Sequence, residues 1–230
     1  MCGESFMVAR RMLSIISNSI RVSNNNKVRD AQRKLGSFEY IPNYEYDVLH
    51  TFMGLKKHLT KENKSNILSF VDAGCGIGNI LVAALSTDIA TRVTGLELFD
   101  EPFKIAENFL KSCHQISVIQ QDILLYDRYH EHDIIYYYCP FSDNGLQVRL
   151  EEKIEDEMKK GAILMPFYKQ GGSLMRDDRF EKIEGCNAFI KTKKTKRKES
   201  IILFTDKSSD EDWVNQYPQY NLKYGKQIGE

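Results

Sequence analysis

The sequence predicts a doubly wound α/β domain on a mostly parallel, seven-stranded sheet, and three observations carry that expectation. From residue 67 onward, short apolar strand-like runs alternate with amphipathic helix-like runs, the order that specifies a parallel sheet covered by helices on both faces. The first of these strands runs into a glycine-rich loop, Asp72-Ala-Gly74-Cys75-Gly76-Ile-Gly78-Asn79, which opens a helix. The alternation then closes on two strand-like runs with no helix between them, the pattern of a terminal antiparallel hairpin.

Taken in order, residues 1 to 24 offer a short helix with Phe6, Met7, Met12, Leu13, Ile15 and Ile16, followed by the loop Ser23-Asn-Asn-Asn26. From Asn43, Val48, Leu49, Phe52, Met53 and Leu55 recur at helical spacing, and Lys56 to Ser65 reads as a charged connection. These segments make an N-terminal basic arm and helical cap over residues 1–60, ahead of a core domain over 61–230. Strands are expected at Ile67 to Asp72, Arg92 to Leu98, Ile116 to Gln121, His132 to Tyr138 and Ala162 to Tyr168. Helices are expected at Ile77 to Ser86 and at Glu101 to Ser112, the latter with Phe103, Ile105, Ala106, Phe109 and Leu110 inward. A further, heavily charged helix spans Gln147 to Lys160, with Leu150, Ile154 and Met158 on one face and Gly161 as its C-cap. The closing hairpin is expected from Phe180 to Thr192 and Ser200 to Thr205, with Lys193-Lys-Thr-Lys-Arg-Lys198 as its solvated tip.

Composition narrows the functional classes. The 230 residues suffice for one catalytic-sized unit, and a formal net charge of zero gives no global pull toward nucleic acid or membrane. The five cysteines are scattered without C-x-x-C pairing, which argues against a disulfide framework or a zinc site and for a reducing, cytoplasmic home. No apolar run approaches the roughly 18 residues that a membrane helix needs. The first 37 residues carry seven Lys or Arg against Glu4 and Asp30, so an organelle transit peptide stands as a second reading beside a plain basic arm.

The chemistry concentrates at the glycine loop. A strand that enters Gly74, Gly76 and Gly78 and leaves as a helix offers backbone N–H groups at a helix N-terminus and lets the chain pass close to a ligand. A dinucleotide fingerprint G-x-G-x-x-G counted from Gly74 would need glycine at position 79, which is Asn79. With Asp72 two residues before the first glycine, the run resembles the first motif of the class I, seven-stranded, Rossmann-like S-adenosylmethionine-dependent methyltransferases, uncharacterised bacterial members included. That resemblance covers roughly residues 38 to 207. It implies a methyltransferase with S-adenosylmethionine as cofactor, bound by Asp72, Gly74, Cys75, Gly76, Gly78 and Asn79.

The same resemblance places further contacts along the chain. Glu97, ending the second strand, implies a carboxylate for the two ribose hydroxyls, with Leu98 beside the adenine; taken alone, a strand-end Glu is a cap for the next helix. Asp122 implies an acceptor for the adenine amino group and Ile123 an apolar face for the ring, against an Asx turn as the plain alternative for Asp122. Upstream, Tyr40 and Tyr44 are candidates for a lid over the cofactor, or else pack the N-terminal cap on the sheet.

The corner after the fourth strand normally selects the acceptor. Here Tyr138-Cys-Pro140-Phe141 keeps only the final Pro-Phe of the Asn/Asp/Ser-Pro-Pro-Tyr/Phe found where nucleobase or glutamine amines are methylated, which weighs against adenine or cytosine. Tyr138, Pro140 and Phe141 are the expected catalytic-corner residues, while Tyr136 and Tyr137 read equally well as packing. None of the five His residues forms a constellation, and no metal is expected. A protein side-chain amine is slightly favoured as acceptor, since an aromatic channel suits a lysine. A small molecule follows, then RNA or DNA; a non-catalytic cofactor-binding protein is the reading from another class.

Overall fold

A computed structural model describes Lys34, Gly36, residues 45–62 and residues 68–194, all within the compact unit Met1–Thr195. The expected helix over residues 1–24, Tyr40, Tyr44, the expected strand over 200–205 and residues 195–198 of the lysine run lie outside the described residues.

The described chain runs α1 (Glu45–Lys61), β1 (Ser69–Ala73), α2 (Asn79–Ser86), β2 (Arg92–Glu97), α3 (Asp100–Leu110), β3 (Ile116–Gln120), β4 (Ile134–Tyr138), α4 (Asn144–Glu157), β5 (Ile163–Phe167), β6 (Phe180–Lys182) and β7 (Phe189–Lys191). Among the described residues these strands form a seven-stranded sheet in the order β3-β2-β1-β4-β5-β7-β6. Neighbours from β3 to β5 pair parallel, while β7 pairs antiparallel with both β5 and β6. The expected α/β class, mostly parallel sheet and terminal antiparallel pair are all present. The order reverses between β1 and β4, and the carboxyl ends of strands at such a reversal are where open α/β sheets bind ligands.

Alternation along the strands explains the layers. Ile134, Tyr136 and Tyr138 of β4 join a core with Phe52 of α1, Leu81 of α2, and Met165 and Phe167 of β5. Tyr136 lies 6.2 Å from Phe70, 6.3 Å from Phe52 and 5.5 Å from Phe167, centroid to centroid. Such aromatic contacts add about 0.5–1.5 kcal/mol each beyond area burial. Tyr137 points to the other face, and its hydroxyl is pushed up by burial first and then by the charges of Glu151 and Glu155 on α4. Both tyrosines are packing residues.

Several local expectations are corrected. Helix α1 continues to Lys61, because Leu59 extends the buried stripe of Val48, Leu49, Phe52 and Leu55 by one more turn. This helix is part of the core of the sheet. In α3 only Ala106 and Leu110 are buried; Phe109, about a quarter-turn off that face, is 55% exposed. Helix α4 begins at Asn144, capped by Asp143 Oδ1 accepting from the Leu146 N–H at 2.9 Å, and its C-cap is Met158. Gly161, at φ 87°, instead shapes the turn into β5, where its N–H donates to the Lys191 carbonyl. Among the described residues, β6 and β7 form a hairpin inside the single strand expected at 180–192, because Gly185 at φ 80° turns the chain between them. Every described residue lies outside any helix long and apolar enough to cross a membrane.

Candidate functional site

At the reversal point the glycine loop folds back over β2. The N–H groups of Gly74 and Cys75 both donate to the Leu96 carbonyl, at 3.0 and 2.9 Å. Gly74, Gly76 and Gly78 have φ of 95°, 55° and 91°, a left-handed path that a side chain would strain. Gly78 caps α2, and a Cβ on it would meet Leu110 Cδ1 at 2.5 Å. The Cys75 thiol is turned inward against Gly95, so a β-carbon there would meet its sulfur at 2.6 Å. Cys75 therefore offers a ligand its backbone. Asn79, also buried, opens α2.

Two acids flank this loop. Glu97, buried at the end of β2, accepts from the Gly76 N–H through Oε2 at 2.9 Å and from the Phe99 N–H through Oε1 at 2.8 Å. Burial pushes its carboxyl from 4.5 up to about 7, against the opposing pull of those backbone donors. Asp72 on β1 is buried too, and burial, then the neighbouring Glu97 charge, hold its carboxyl well above the usual range. Two buried acids side by side, the charge of Glu97 raising the proton affinity of Asp72, make a pocket suited to a cation and hostile to a pyrophosphate.

The next strand end continues the line. Gln121 N–H donates to the Glu97 carbonyl at 3.0 Å, which sets Asp122 beside the end of β2. Asp122 is buried and closes an Asx turn, its Oδ1 accepting from the Leu124 N–H at 2.8 Å. A carboxylate has about four acceptor positions, of which the turn uses one. Ile123 is buried and Leu98 is 42% exposed at the rim.

The β4 corner meets the loop directly, since a Cβ on Gly74 would stand 3.2 Å from Pro140 Cβ. Tyr138 stacks on Phe167 with ring centroids 5.9 Å apart and meets Tyr168 edge-on at 5.1 Å. Phe141 donates its N–H to Gln147 Oε1 at 3.2 Å. Cys139 and Tyr168, which follow the paired residues Tyr138 and Phe167, both adopt positive φ, 37° and 56°. Such backbone costs of order 1 kcal/mol per residue and collects at functional sites. Gly36 reaches this corner as well, its carbonyl accepting from the Ser142 N–H at 2.7 Å and the Asp143 N–H at 3.2 Å.

Of the residues singled out in the sequence, Tyr40 and Tyr44 lie outside the described residues. The others, from Asp72 through Phe141, gather along one sheet edge. Sequence reasoning missed Tyr168 and the buried trio Gln147, Glu151 and Glu155, which the charged helix disguised. Their four-residue spacing was the available signal. It also missed the buried His132, whose Nε2 lies 2.7 Å from the Tyr126 hydroxyl, but this pair sits at the opposite end of β4. Among the described residues, no group of three or more His, Cys, Asp or Glu is placed to hold a metal ion.

No protein-family model and no curated protein matches the sequence. Among solved structures, the chain is similar to an RNA methyltransferase from Salinibacter ruber in complex with S-adenosyl-L-homocysteine, at 18% identity over 64% of this chain and 94% of that one, TM-score 0.44. It is also similar to a putative methylase from Haemophilus influenzae, at 18% identity over 61% and 99%, TM-score 0.43. A third is the plantazolicin methyltransferase BpumL in complex with SAH, at 18% identity over 52% and 46%, TM-score 0.41. This chain spans less than half the length of several similar structures, the plantazolicin enzyme among them, matching 36% to 49% of each. What identifies the architecture is the chain's own strand order, 3-2-1-4-5-7-6 with the seventh strand antiparallel, and that is the class I methyltransferase fold.

Proposed function

We propose that this chain is a methyltransferase that binds S-adenosylmethionine across the carboxyl ends of β1, β2 and β3 and carries a methyl group to a protein side-chain amine. The observation that carries the reading is the buried Glu97 carboxylate, tied to Gly76 of the glycine loop at the point where the sheet order reverses. Two of its acceptor positions are used by backbone donors, and the remaining capacity matches the two hydroxyls of a ribose. Asp72 beside it is a second buried carboxyl, whose charged form a sulfonium or ammonium group would stabilise. Asp122 supplies an acceptor for the adenine amine, between the apolar Ile123 and Leu98.

When bound, the cofactor supplies a methyl group on a positively charged sulfur. The chain's own part is to orient and to exclude water, since an in-line displacement gains chiefly from positioning. Pro140 closes one side of the glycine loop, while Tyr138, Phe167 and Tyr168 wall the approach from β4 and β5. Ring faces of this kind attract a cationic or partly charged amine. The four free cysteines among the described residues fit the reducing, cytoplasmic setting that belongs to this reading.

A compact small molecule is the second reading, favoured by a cleft of about 480 Å³ lined by His50, Thr51, Phe167, Lys182 and Cys186, which shares Phe167 with the aromatic wall. The test is to incubate the purified chain with a cell extract and cofactor labelled on the methyl carbon. Label in a protease-sensitive, acid-insoluble fraction is expected. Label in the low-mass fraction moves the assignment to a small molecule, and label in the nuclease-sensitive fraction to RNA or DNA. Cofactor binding with no label anywhere marks a non-catalytic cofactor-binding protein and defeats the proposal.

A further inference from the structure

The turns that leave β4 and β5 carry the two positive-φ residues Cys139 and Tyr168 at neighbouring register positions. Strained backbone persists only where its surroundings over-determine it. The surroundings here converge on one side chain. Glu151 of α4 is fully buried, and its carboxylate accepts four donors. Oε1 takes Gln147 Nε2 at 2.8 Å and the Gln170 N–H at 2.8 Å; Oε2 takes Lys169 Nζ at 3.0 Å and the Gly171 N–H at 2.6 Å. Gln147 in turn accepts the Phe141 N–H at 3.2 Å, and Gln170 Nε2 donates to the Tyr168 carbonyl at 3.1 Å. One carboxylate thus links the turn after β4 to the turn after β5.

We propose that Glu151 is a positioning residue, whose buried carboxylate clamps both turns in the arrangement that presents Tyr138 and Tyr168 to the methyl acceptor. This rests on reading the carboxyl edge as the site of methyl transfer. Stability alone gives no reason to bury the group, because a buried ion pair replaced by well-packed apolar side chains often leaves a protein as stable or more so. The clamp buys direction: its donors are the backbone N–H groups of the turns, so the carboxylate fixes main-chain paths that an apolar residue would leave free. Space is tight around it as well, since a Cβ on Gly171 would stand 2.7 Å from Oε2. Lys169 balances Glu151 and also reaches Glu155 at 2.5 Å, which keeps the buried acids paired without drawing on the cofactor pocket.

The experiment compares the full-length wild type with Glu151→Ala, Glu151→Gln and Gly171→Ala in three measurements. These are hydrogen exchange of peptides covering 139–141 and 168–171, S-adenosylhomocysteine affinity by calorimetry, and methyl transfer to the extract fraction that the wild type labels. Glu151→Ala is expected to speed exchange in both peptides by roughly tenfold or more. It should raise KM for the acceptor or lower kcat by roughly tenfold to a hundredfold, the scale of a small misplacement at a reacting centre. Cofactor affinity should stay within about twofold of wild type, and Glu151→Gln, which keeps one acceptor oxygen, should recover part of both losses. Should Glu151→Ala fail to fold, Gly171→Ala disturbs the clamp with the charge retained and is expected to act in the same direction. Unchanged exchange in both peptides, or transfer that falls only in step with cofactor affinity, overturns the clamp while the methyltransferase reading stands. A wild type that binds the cofactor and labels nothing overturns both.

Discussion

At the scale of single residues, Glu97 is the most informative group, because its burial couples proton binding to both folding and ligand binding. Its folded carboxyl stands at about 7 against 4.5 when solvated. Between those values the native chain holds a proton that the unfolded chain has released. The contribution of Glu97 to stability is therefore full below pH 4.5 and is lost as pH rises to about 7, by up to about 3 kcal/mol. His132 runs the other way: burial lowers it from 6.5 to about 4, so its contribution is present above 6.5 and lost as pH falls. The two oppose each other, so the useful measurement is the stability difference between wild type and Glu97→Gln by denaturant unfolding. That difference should shift against the wild type by at least about 1 kcal/mol between pH 5 and pH 7.5; a pH-independent difference would contradict the burial of this acid. In the proposed pocket the ribose hydroxyls donate to the ionised form, so cofactor affinity at pH 6 should be roughly tenfold weaker than at pH 8. The chemical identity of such residues was legible in the sequence, since Asp72, the three glycines, Glu97 and Asp122 each stand at or just after a strand end that the apolar pattern locates. Their protonation was not legible, because it depends on burial by elements distant along the chain.

At the scale of elements, local pattern and tertiary context divide the account. The helices and parallel strands were readable because each carries its own apolar periodicity, as Val48, Leu49, Phe52 and Leu55 do in α1. The β6–β7 hairpin was hidden inside one long strand-like run, because Gly185 turns the chain with no Pro and no Asn-Gly or Asp-Gly pair to announce it. Lys191 was likewise unreadable. It lies in β7 beside a lysine-rich run, yet it is 1% exposed, and its Nζ donates to the carbonyls of Glu155, Asp156 and Met158 at 2.7, 3.2 and 2.8 Å. A cation there satisfies the end of α4 and complements its dipole, which ties the helix that carries Glu151 to the antiparallel edge of the sheet. Lys191→Met should destabilise the protein by about 2 kcal/mol or more, since it leaves buried carbonyls without their donor. Lys193→Met, which removes an exposed pair with Asp178, should change stability by less than about 1 kcal/mol. Thermal unfolding of the two variants side by side decides the point, and equal effects would refute the capping role.

At the scale of the whole molecule, strand order converts scattered residues into one edge. The ends of β1, β2 and β3 and the loops after them bring Asp72, Gly74, Gly76, Gly78, Glu97 and Asp122 together because parallel strands all end on the same side, at the reversal between β1 and β4 where such sheets bind ligands. The end of β4 and the turns after β4 and β5 then add Tyr138, Pro140 and Tyr168 on the side proposed for the methyl acceptor. Sequence motifs could rank the cofactor loop above its rivals. They could not supply the β4–β5 wall, because Tyr168 and Glu151 acquire their roles only through register and helix packing. The central claim is that Gly76 and Glu97 hold S-adenosylmethionine as parts of one pocket. Its most direct test is calorimetric titration of the full chain with S-adenosylhomocysteine, beside Gly76→Val and Glu97→Ala checked for folding by circular dichroism. Saturable binding by the wild type with loss of measurable heat in both folded variants is the expected result. Unchanged affinity in both variants would contradict the account.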